Sequence, residues 1–582
     1  MAMRSPPLSR LLVLATGLSL LSSCSGAAST LDPLTPFRDQ ALTWTTCDPT
    51  IVPESFRADL ASVSARATCA FIRVPVDYAN PGSGEILVAL LRVAATDASA
   101  RRGAILLNPG GPGDDGLFMA PAFGALWGAA NPADPVGAIY SELSRRYDLI
   151  GFSPRGTGAS TQLDCTSPEQ LSFVANPAAD RSPANIAAML RNGRIQAAGC
   201  RKSPLTPFVN TDATARDMDL IRAALRDPKI SYLGASYGTW LGAWWASLFP
   251  DRADRVLLSG VVDLTTGLSN IFPLQAMGQQ RVWDEVMVPW AALHPDAYLL
   301  GSTVSAVAGV YPALRQEIRQ AVNVILTGGM GSERSRDRLL HALLAARILD
   351  GILDQSPPPP DEFDAYGRVE AAIAFVPDDG RRAEVRGLVQ QLIPSFFEIV
   401  GEVSGLATLS GSAATQWAVI CNDVPFGYDV TEWVRLQDRL AALYPLQGGL
   451  VTGSPCLYWG PPTVTRPPLS AASQAGPILF TQTELDPQTP IEGARASLAA
   501  MPTASMVQVD GGWNHGVMVP SGNPCVDVPV GRYLLDGTAP PLRDTHCPRS
   551  ASVTSRGLFV DAARAEAIRT RLEEAIGPGK RR

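Results

Sequence analysis

Ser236, Asp486 and His515 follow one another along the 582-residue chain in an order that can support acyl transfer. A serine hydroxyl is a weak nucleophile at neutral pH and needs a base to take its proton. Histidine suits that task because its pKa lies near working pH, and a carboxylate fixes its tautomer and stabilises the imidazolium. Ser236 stands in Gly234-Ala235-Ser236-Tyr237-Gly238. The chain has four histidines. His294 lies in an HPD segment, His341 in an apolar helical run and His546 beside Cys547; only His515 follows a strand pattern in a glycine-flanked loop, Gly511-Gly512-Trp513-Asn514-His515-Gly516. Asp486, in ELDPQTP, follows the preceding strand pattern and is the preferred acid, with Glu484 and Asp263 as competitors.

The elements around these residues must present them at one edge of a sheet. Ile230-Ser231-Tyr232-Leu233 reads as a short strand, and TWLGAWWASLF after Gly238 reads as a helix. Strand, sharp turn and helix are the context a Gly-x-Ser-x-Gly nucleophile elbow requires, with glycines removing side chains that would collide with neighbouring backbone. Upstream, the apolar run 103–107 ends in Asn108-Pro109-Gly110-Gly111-Pro112-Gly113, where the oxyanion loop of an α/β-hydrolase lies. The backbone N–H groups of Gly111 and Tyr237 are the candidate oxyanion donors, each lowering the barrier by a few kcal/mol. Further strand patterns occur at 69–76, 85–94, 146–152, 255–262, 476–482 and 505–509. The expected fold is an α/β-hydrolase with a mostly parallel central sheet and a large helical cap inserted between the last strands. Helical periodicity dominates 264–475, as in 338–353 and 382–400, and the proline run 357–360 interrupts it. A further helix is expected at 183–198. Another is expected from Thr211, with Asp212 as its N-cap. The division that follows is 1–23 signal segment, 24–43 tether, 44–263 first part of the core, 264–475 cap and 476–582 second part of the core.

Hydrophobic residues make up 46% of the chain and charged residues 18%, enough apolar material for a sizeable core. The net charge of −7 argues against a nucleic-acid partner. Arg4 and Arg10 with LLVLATGLSLL read as an export signal, and Leu21-Ser22-Ser23-Cys24 resembles a bacterial lipoprotein signal with Cys24 lipidated; an ordinary secretory signal with an incidental cysteine is the alternative. Membrane association is expected only through this anchor. Nine cysteines less Cys24 leave eight, an even number that in an exported chain points to disulfides. Sequential pairing is expected (Cys47 with Cys69, Cys165 with Cys200, Cys421 with Cys456, Cys525 with Cys547), each bridge stapling one local excursion. No Cys-x-x-Cys or His-x-x-x-His spacing occurs, so neither a metal nor another cofactor is expected.

Together these pieces resemble the secreted tripeptidyl-aminopeptidase and prolyl-aminopeptidase-like family of α/β-hydrolase serine peptidases. The resemblance runs over nearly the whole mature chain: NPGGPG (108–113), YDLIGFSPRGTGAS (147–160), TDATARDMDLIRAAL (211–225), the block 230–263, Cys421-Asn422-Asp423, the Cys456 to Trp459 segment, ELDPQTP and GWNHG. It implies hydrolysis of peptide bonds near a free N-terminus, with peptides as substrates and the cap restricting access. The family often has Asp where this chain has Ser153 and Ser259, and Gly-His-Gly where Asn514-His515-Gly516 stands. An aminopeptidase also needs an anion for the substrate's α-ammonium; Glu285, Glu402 and Asp423 are candidates. Two other functions stay open: an esterase or amide hydrolase of small acyl substrates using the same triad, and a catalytically silent surface lipoprotein that binds peptides or a partner.

Overall fold

A computed structural model describes residues 32–402, 406–549 and 557–576. Cys24 and the signal segment before it lie outside the described residues. Among the described residues there are eleven strands: β1 (Ala67–Pro75), β2 (Glu85–Val93), β3 (Gly103–Asn108), β4 (Tyr147–Phe152), β5 (Asp164–Gln170), β6 (Ile230–Ala235), β7 (Ala253–Ser259), β8 (Leu406–Ser410), β9 (Ile478–Thr483), β10 (Ser505–Asp510) and β11 (Asp544–Pro548). Nine form one sheet in the order β1-β2-β4-β3-β6-β7-β9-β10-β11, while β5 and β8 form a separate antiparallel pair. β1 to β2 and β2 to β4 are antiparallel; every other pairing in the large sheet is parallel. β3, β4, β6 and β9 are buried along their whole length, as expected of strands covered on both faces.

Strand periodicity divides the core. Ile105, Leu149, Leu233 and Leu257 face one side, with Trp127, Tyr140, Val530 and Ile568 of the covering helices. Leu106, Ile150, Tyr232 and Leu258, each one residue along, face the other with Met218, Trp240 and Leu241. Between β7 and β9 the chain runs mainly through helices, among them Ile271–Val282, Gln316–Gly329, Arg336–Leu353, Asp379–Val400 and Gly411–Asp423. Many of their apolar side chains form a third core, which also takes in Trp513 from the loop after β10.

All four disulfides follow the sequential pattern: Cys47–Cys69, Cys165–Cys200, Cys421–Cys456 and Cys525–Cys547. Disulfides persist in oxidising compartments, so the chain has the character of an exported protein. No helix among the described residues is long and apolar enough to cross a membrane.

Two expectations need correction, and one strand of the large sheet had not been expected. The described part of the tether is docked: Phe37 in the short helix Thr35–Arg38 is buried, and Gln40 pairs with the Arg73 backbone through both amide atoms at 2.8 and 3.0 Å. The helix Thr211–Ala224 is capped by Asn210, which accepts from the Ala213 N–H at 2.8 Å, and Asp212 pairs instead with Arg216 one turn on. The edge strand β11, carrying His546 and Cys547, reads as loop in sequence because DTHCP has no apolar alternation.

Candidate active site

Ser236 occupies the tight link between β6 and the helix Tyr237–Leu248. Its backbone, at φ 56° and ψ −127°, is one that L-residues rarely hold and that costs about 1–3 kcal/mol. The surroundings enforce it. The Ser236 N–H donates to the Ser259 carbonyl at 2.9 Å, extending the β6–β7 ladder past the strand end. A Cβ on Gly234 would lie 2.5 Å from the Gly238 carbonyl oxygen, and one on Gly238 would lie 2.9 Å from the Asn108 carbonyl oxygen, so both flanking positions require glycine.

The loop after β3 packs directly on this turn. A Cβ on Gly110 would meet the Ala235 carbonyl oxygen at 2.6 Å and Ser236 Cβ at 2.9 Å. The Gly110 N–H is bonded to Asn108 Oδ1 at 3.1 Å, which leaves Gly111 as the next donor along the loop. Tyr237 is the first residue of its helix, where an N–H has no intrahelical acceptor.

His515 and Asp486 meet after β10 and β9. His515 Nδ1 lies 2.9 Å from Asp486 Oδ1 and 3.2 Å from Oδ2, with both side chains buried. An ionised carboxylate only accepts, so Nδ1 carries the proton and Nε2 keeps a lone pair. Asp486 is fixed in turn by the N–H groups of Gln488 (2.9 Å), Thr489 (2.8 Å) and Gly516 (2.9 Å). The other carboxylates are engaged elsewhere. Glu484 accepts from the Gly511 N–H at 2.7 Å, and Asp263 from the Thr265 N–H at 2.9 Å. The remaining histidines also have local partners: His341 with Glu384, His546 with Asp510, and His294 stacked on Trp290.

The histidine loop packs closely on the end of β7, whose Ser259 carbonyl holds the Ser236 N–H. A Cβ on Gly260 would lie 3.1 Å from Gly516 Cα, and one on Gly516 would lie 2.9 Å from Ser259 Oγ. A cleft beside this junction is lined by Val261, Val262, Leu268, Ile271, Gln488 and Thr489, among others. Among the described residues, no group of three or more His, Cys, Asp or Glu side chains could hold a metal ion.

Family models match an α/β-hydrolase fold over residues 103–323 and a TAP-like protein over 445–547. The chain is 31% identical over 501 residues to a tripeptidyl aminopeptidase of Streptomyces lividans, covering 83% of this chain and 84% of that one. The chain belongs to the TAP-like family of α/β-hydrolases. It is a serine hydrolase. Other relatives are carboxylesterase B of Mycobacterium tuberculosis, 30% identical over 515 residues (86% of this chain and 88% of that one), and serine protease Hip1 of the same species, 26% identical over 500 residues (82% and 86%).

Beside Ser153 this chain has a carboxylate on another residue: Ser153 Oγ donates to half-buried Asp115 at 2.8 Å. Of the three candidates for the substrate amine, Glu285 and Glu402 are exposed. Asp423 is buried and internally engaged. Its oxygens accept from the Thr211 N–H (2.8 Å), Thr211 Oγ1 (2.6 Å) and Trp240 Nε1 (3.0 Å), and burial lifts its pKa to about 7. It braces the elbow helix, and both of its oxygens already accept hydrogen bonds from within the fold. Ser259, noted in the sequence only as a departure from the family pattern, bonds the Val517 backbone. Sequence reasoning missed Thr489, whose Oγ1 is 3.4 Å from His515 Nδ1 and which was visible only as a neighbour of Asp486.

Proposed function

We propose that this chain is an exported serine exopeptidase of aminopeptidase type, cleaving peptide bonds near a free N-terminus through Ser236, His515 and Asp486. The observation that carries the reading is the buried His515–Asp486 pair, set on a loop packed against the end of β7, where the Ser259 carbonyl accepts from the N–H of the strained Ser236. In the reaction, His515 Nε2 takes the Ser236 proton as Oγ attacks the carbonyl carbon, and the resulting oxyanion is held by the N–H groups of Gly111 and Tyr237. Collapse expels the amine, which takes the proton from His515. Water, activated by the same base, then releases the acyl group from Ser236. The peptidase assignment is supported by the name of the Streptomyces relative, export by the disulfides and the leader, and envelope anchoring by Cys24 in its signal context. Residues 264–475 act as a cap over this chemistry.

Esterase activity on small acyl substrates is the second reading, favoured by the mycobacterial relative named carboxylesterase B. Peptide amides with free and acetylated N-termini, assayed beside p-nitrophenyl esters, separate the two. Cleavage restricted to free-amine peptides is expected; ester turnover without peptide cleavage refutes the exopeptidase. Ser236→Ala is expected to abolish turnover on every substrate.

A further inference from the structure

The loop that carries His515 is bonded to a turn of the helical region, and this contact has no part in the chemistry above. Residues 331–333 link the helices Gln316–Gly329 and Arg336–Leu353. Three consecutive residues of the histidine loop bond to them. The Trp513 N–H donates to Glu333 Oε1 at 2.9 Å. Asn514 Oδ1 accepts from the Glu333 N–H at 2.6 Å. The His515 N–H itself donates to the Gly331 carbonyl at 2.8 Å. The Trp513 ring is fully buried within the helical core.

The turn is fixed from outside as well. Glu333 Oε2 accepts from Arg549 Nε, just past β11, at 3.0 Å. Arg334 Nε donates to Glu573 at 2.9 Å and the same side chain pairs with Glu566, both on the helix Ala562–Ile576. From the sheet side, Thr483 Oγ1 donates to the Asn514 carbonyl at 2.5 Å. The loop needs such support. Gly511 and Gly516 both hold positive φ, at 67° and 70°, and glycine restricts its own backbone least. Asp486 holds the imidazole ring, whereas residues 331–333 hold the backbone from which the ring is hung.

We infer that Glu333 and Asn514 are positioning residues for the base, so that the helical region sets the reactivity of Ser236 as well as access to it. This rests on the serine-hydrolase reading of Ser236 and His515. A base displaced by about 1 Å can lose on the order of a hundredfold in rate while the fold survives. A merely structural contact would instead lower stability and leave the reactivity of each folded molecule unchanged.

The test is the second-order rate at which a fluorophosphonate probe labels Ser236 in the full chain, with near-UV circular dichroism to confirm folding. Asn514→Ala and Glu333→Ala each delete an accepting oxygen. Asn514→Asp and Glu333→Gln each keep one. Labelling is expected to slow by roughly tenfold to a hundredfold in the two alanine variants. The two conservative variants should stay within about threefold of wild type. Folded Asn514→Ala labelling at the wild-type rate overturns the inference while leaving the hydrolase reading intact. If the wild type itself fails to label, the hydrolase reading falls and the inference with it. Should Glu333→Ala not fold, the Asn514 pair decides, because it changes one oxygen on a half-buried side chain.

Discussion

Ser259 and Val517 bond twice: the Ser259 hydroxyl accepts from the Val517 N–H at 2.7 Å and donates to the Val517 carbonyl at 3.1 Å. The Ser259 carbonyl meanwhile accepts from the Ser236 N–H. One residue at the end of β7 therefore holds the Ser236 backbone and, by its side chain, the segment two residues past His515. Ser259→Ala leaves a buried N–H and a buried carbonyl unpaired, at a cost of about 1–3 kcal/mol for such a group. We expect a lower denaturation midpoint together with a fall in kcat, since the loop that registers His515 against Ser236 loses its fastening. Denaturant unfolding and steady-state kinetics on one preparation check both. A drop in stability with kcat untouched would remove Ser259 from any role in registering the base.

Asp486→Asn tests the tautomer argument. The carboxamide can preserve most of the packing, yet it can present an N–H to His515 Nδ1, which would place the ring proton on Nε2, facing away from Asp486. A base in that state cannot take the serine proton. The expected loss in kcat is on the order of 10⁴, as when the same change is made in a serine-protease triad. KM should move little. Retention of more than about a tenth of wild-type kcat would count against Asp486 as the partner that orients His515.

What was readable in the sequence was what depends on local pattern. β3, β4, β6 and β9 are continuous buried runs, and such runs keep their identity wherever the strand is placed. Ser236, Asp486 and His515 stood out because each follows a strand pattern in a loop rich in turn residues, and their order matches the fold. The disulfide pairs were readable because each joins near neighbours in sequence. Contacts between distant segments were not. Ser259 is 258 positions from Val517, and Thr211 is 212 positions from Asp423. Nothing local marks either pair. β5, β8 and β11 were missed for a related reason. β5 is mostly exposed and β11 has a single buried residue, so no apolar period betrays them.

Asp423 gives the fold a pH dependence of definite sign. Its folded pKa of about 7 exceeds the ordinary carboxylate value of 3.8 because burial penalises the charged form. Below the ordinary value both states are protonated. As pH rises from there to about 7 the unfolded chain loses this proton first, so the stability contributed by the neutral acid declines and is lost above the folded pKa. Asp423→Asn cannot ionise. Whatever the baseline effect of the substitution, the stability of the variant relative to wild type should rise by a few kcal/mol from about pH 4 to about pH 8. Unfolding midpoints of both proteins across that range measure it. A difference that stays flat with pH would mean that the buried acid is not the source.

The bridge Cys421–Cys456 pins the end of the helix Gly411–Asp423, and with it the side chain that braces the elbow helix. Its ends are 35 residues apart, for which loop-closure entropy gives about 4 kcal/mol. The double substitution Cys421→Ala, Cys456→Ala should lower the unfolding free energy by roughly that amount, or less where the unfolded chain retains structure. Differential scanning calorimetry of the oxidised double variant against wild type provides the comparison. Reduction of wild type opens all four bridges and should lower its midpoint below that of the oxidised variant.

Gly110→Ala separates the oxyanion loop from the triad. Gly110 sits at φ 109°, and an added Cβ would meet the Ala235 carbonyl oxygen at 2.6 Å, Ser236 Cβ at 2.9 Å and the Tyr237 nitrogen at 3.0 Å. All three atoms belong to the elbow, which is held on its far side by Gly234, Gly238 and the β6–β7 ladder. The loop is the part that can give way, and moving it carries the Gly111 N–H off the position the oxyanion would occupy. Loss of one oxyanion donor costs about 2.7–4 kcal/mol, or roughly 10²–10³ in kcat. His515 and Asp486 lie on other loops and should keep their geometry, so the pH profile of the residual activity should match that of wild type. Parallel profiles with depressed kcat are the expected result. A profile whose acid limb shifts would show that the added methyl group disturbs the base instead.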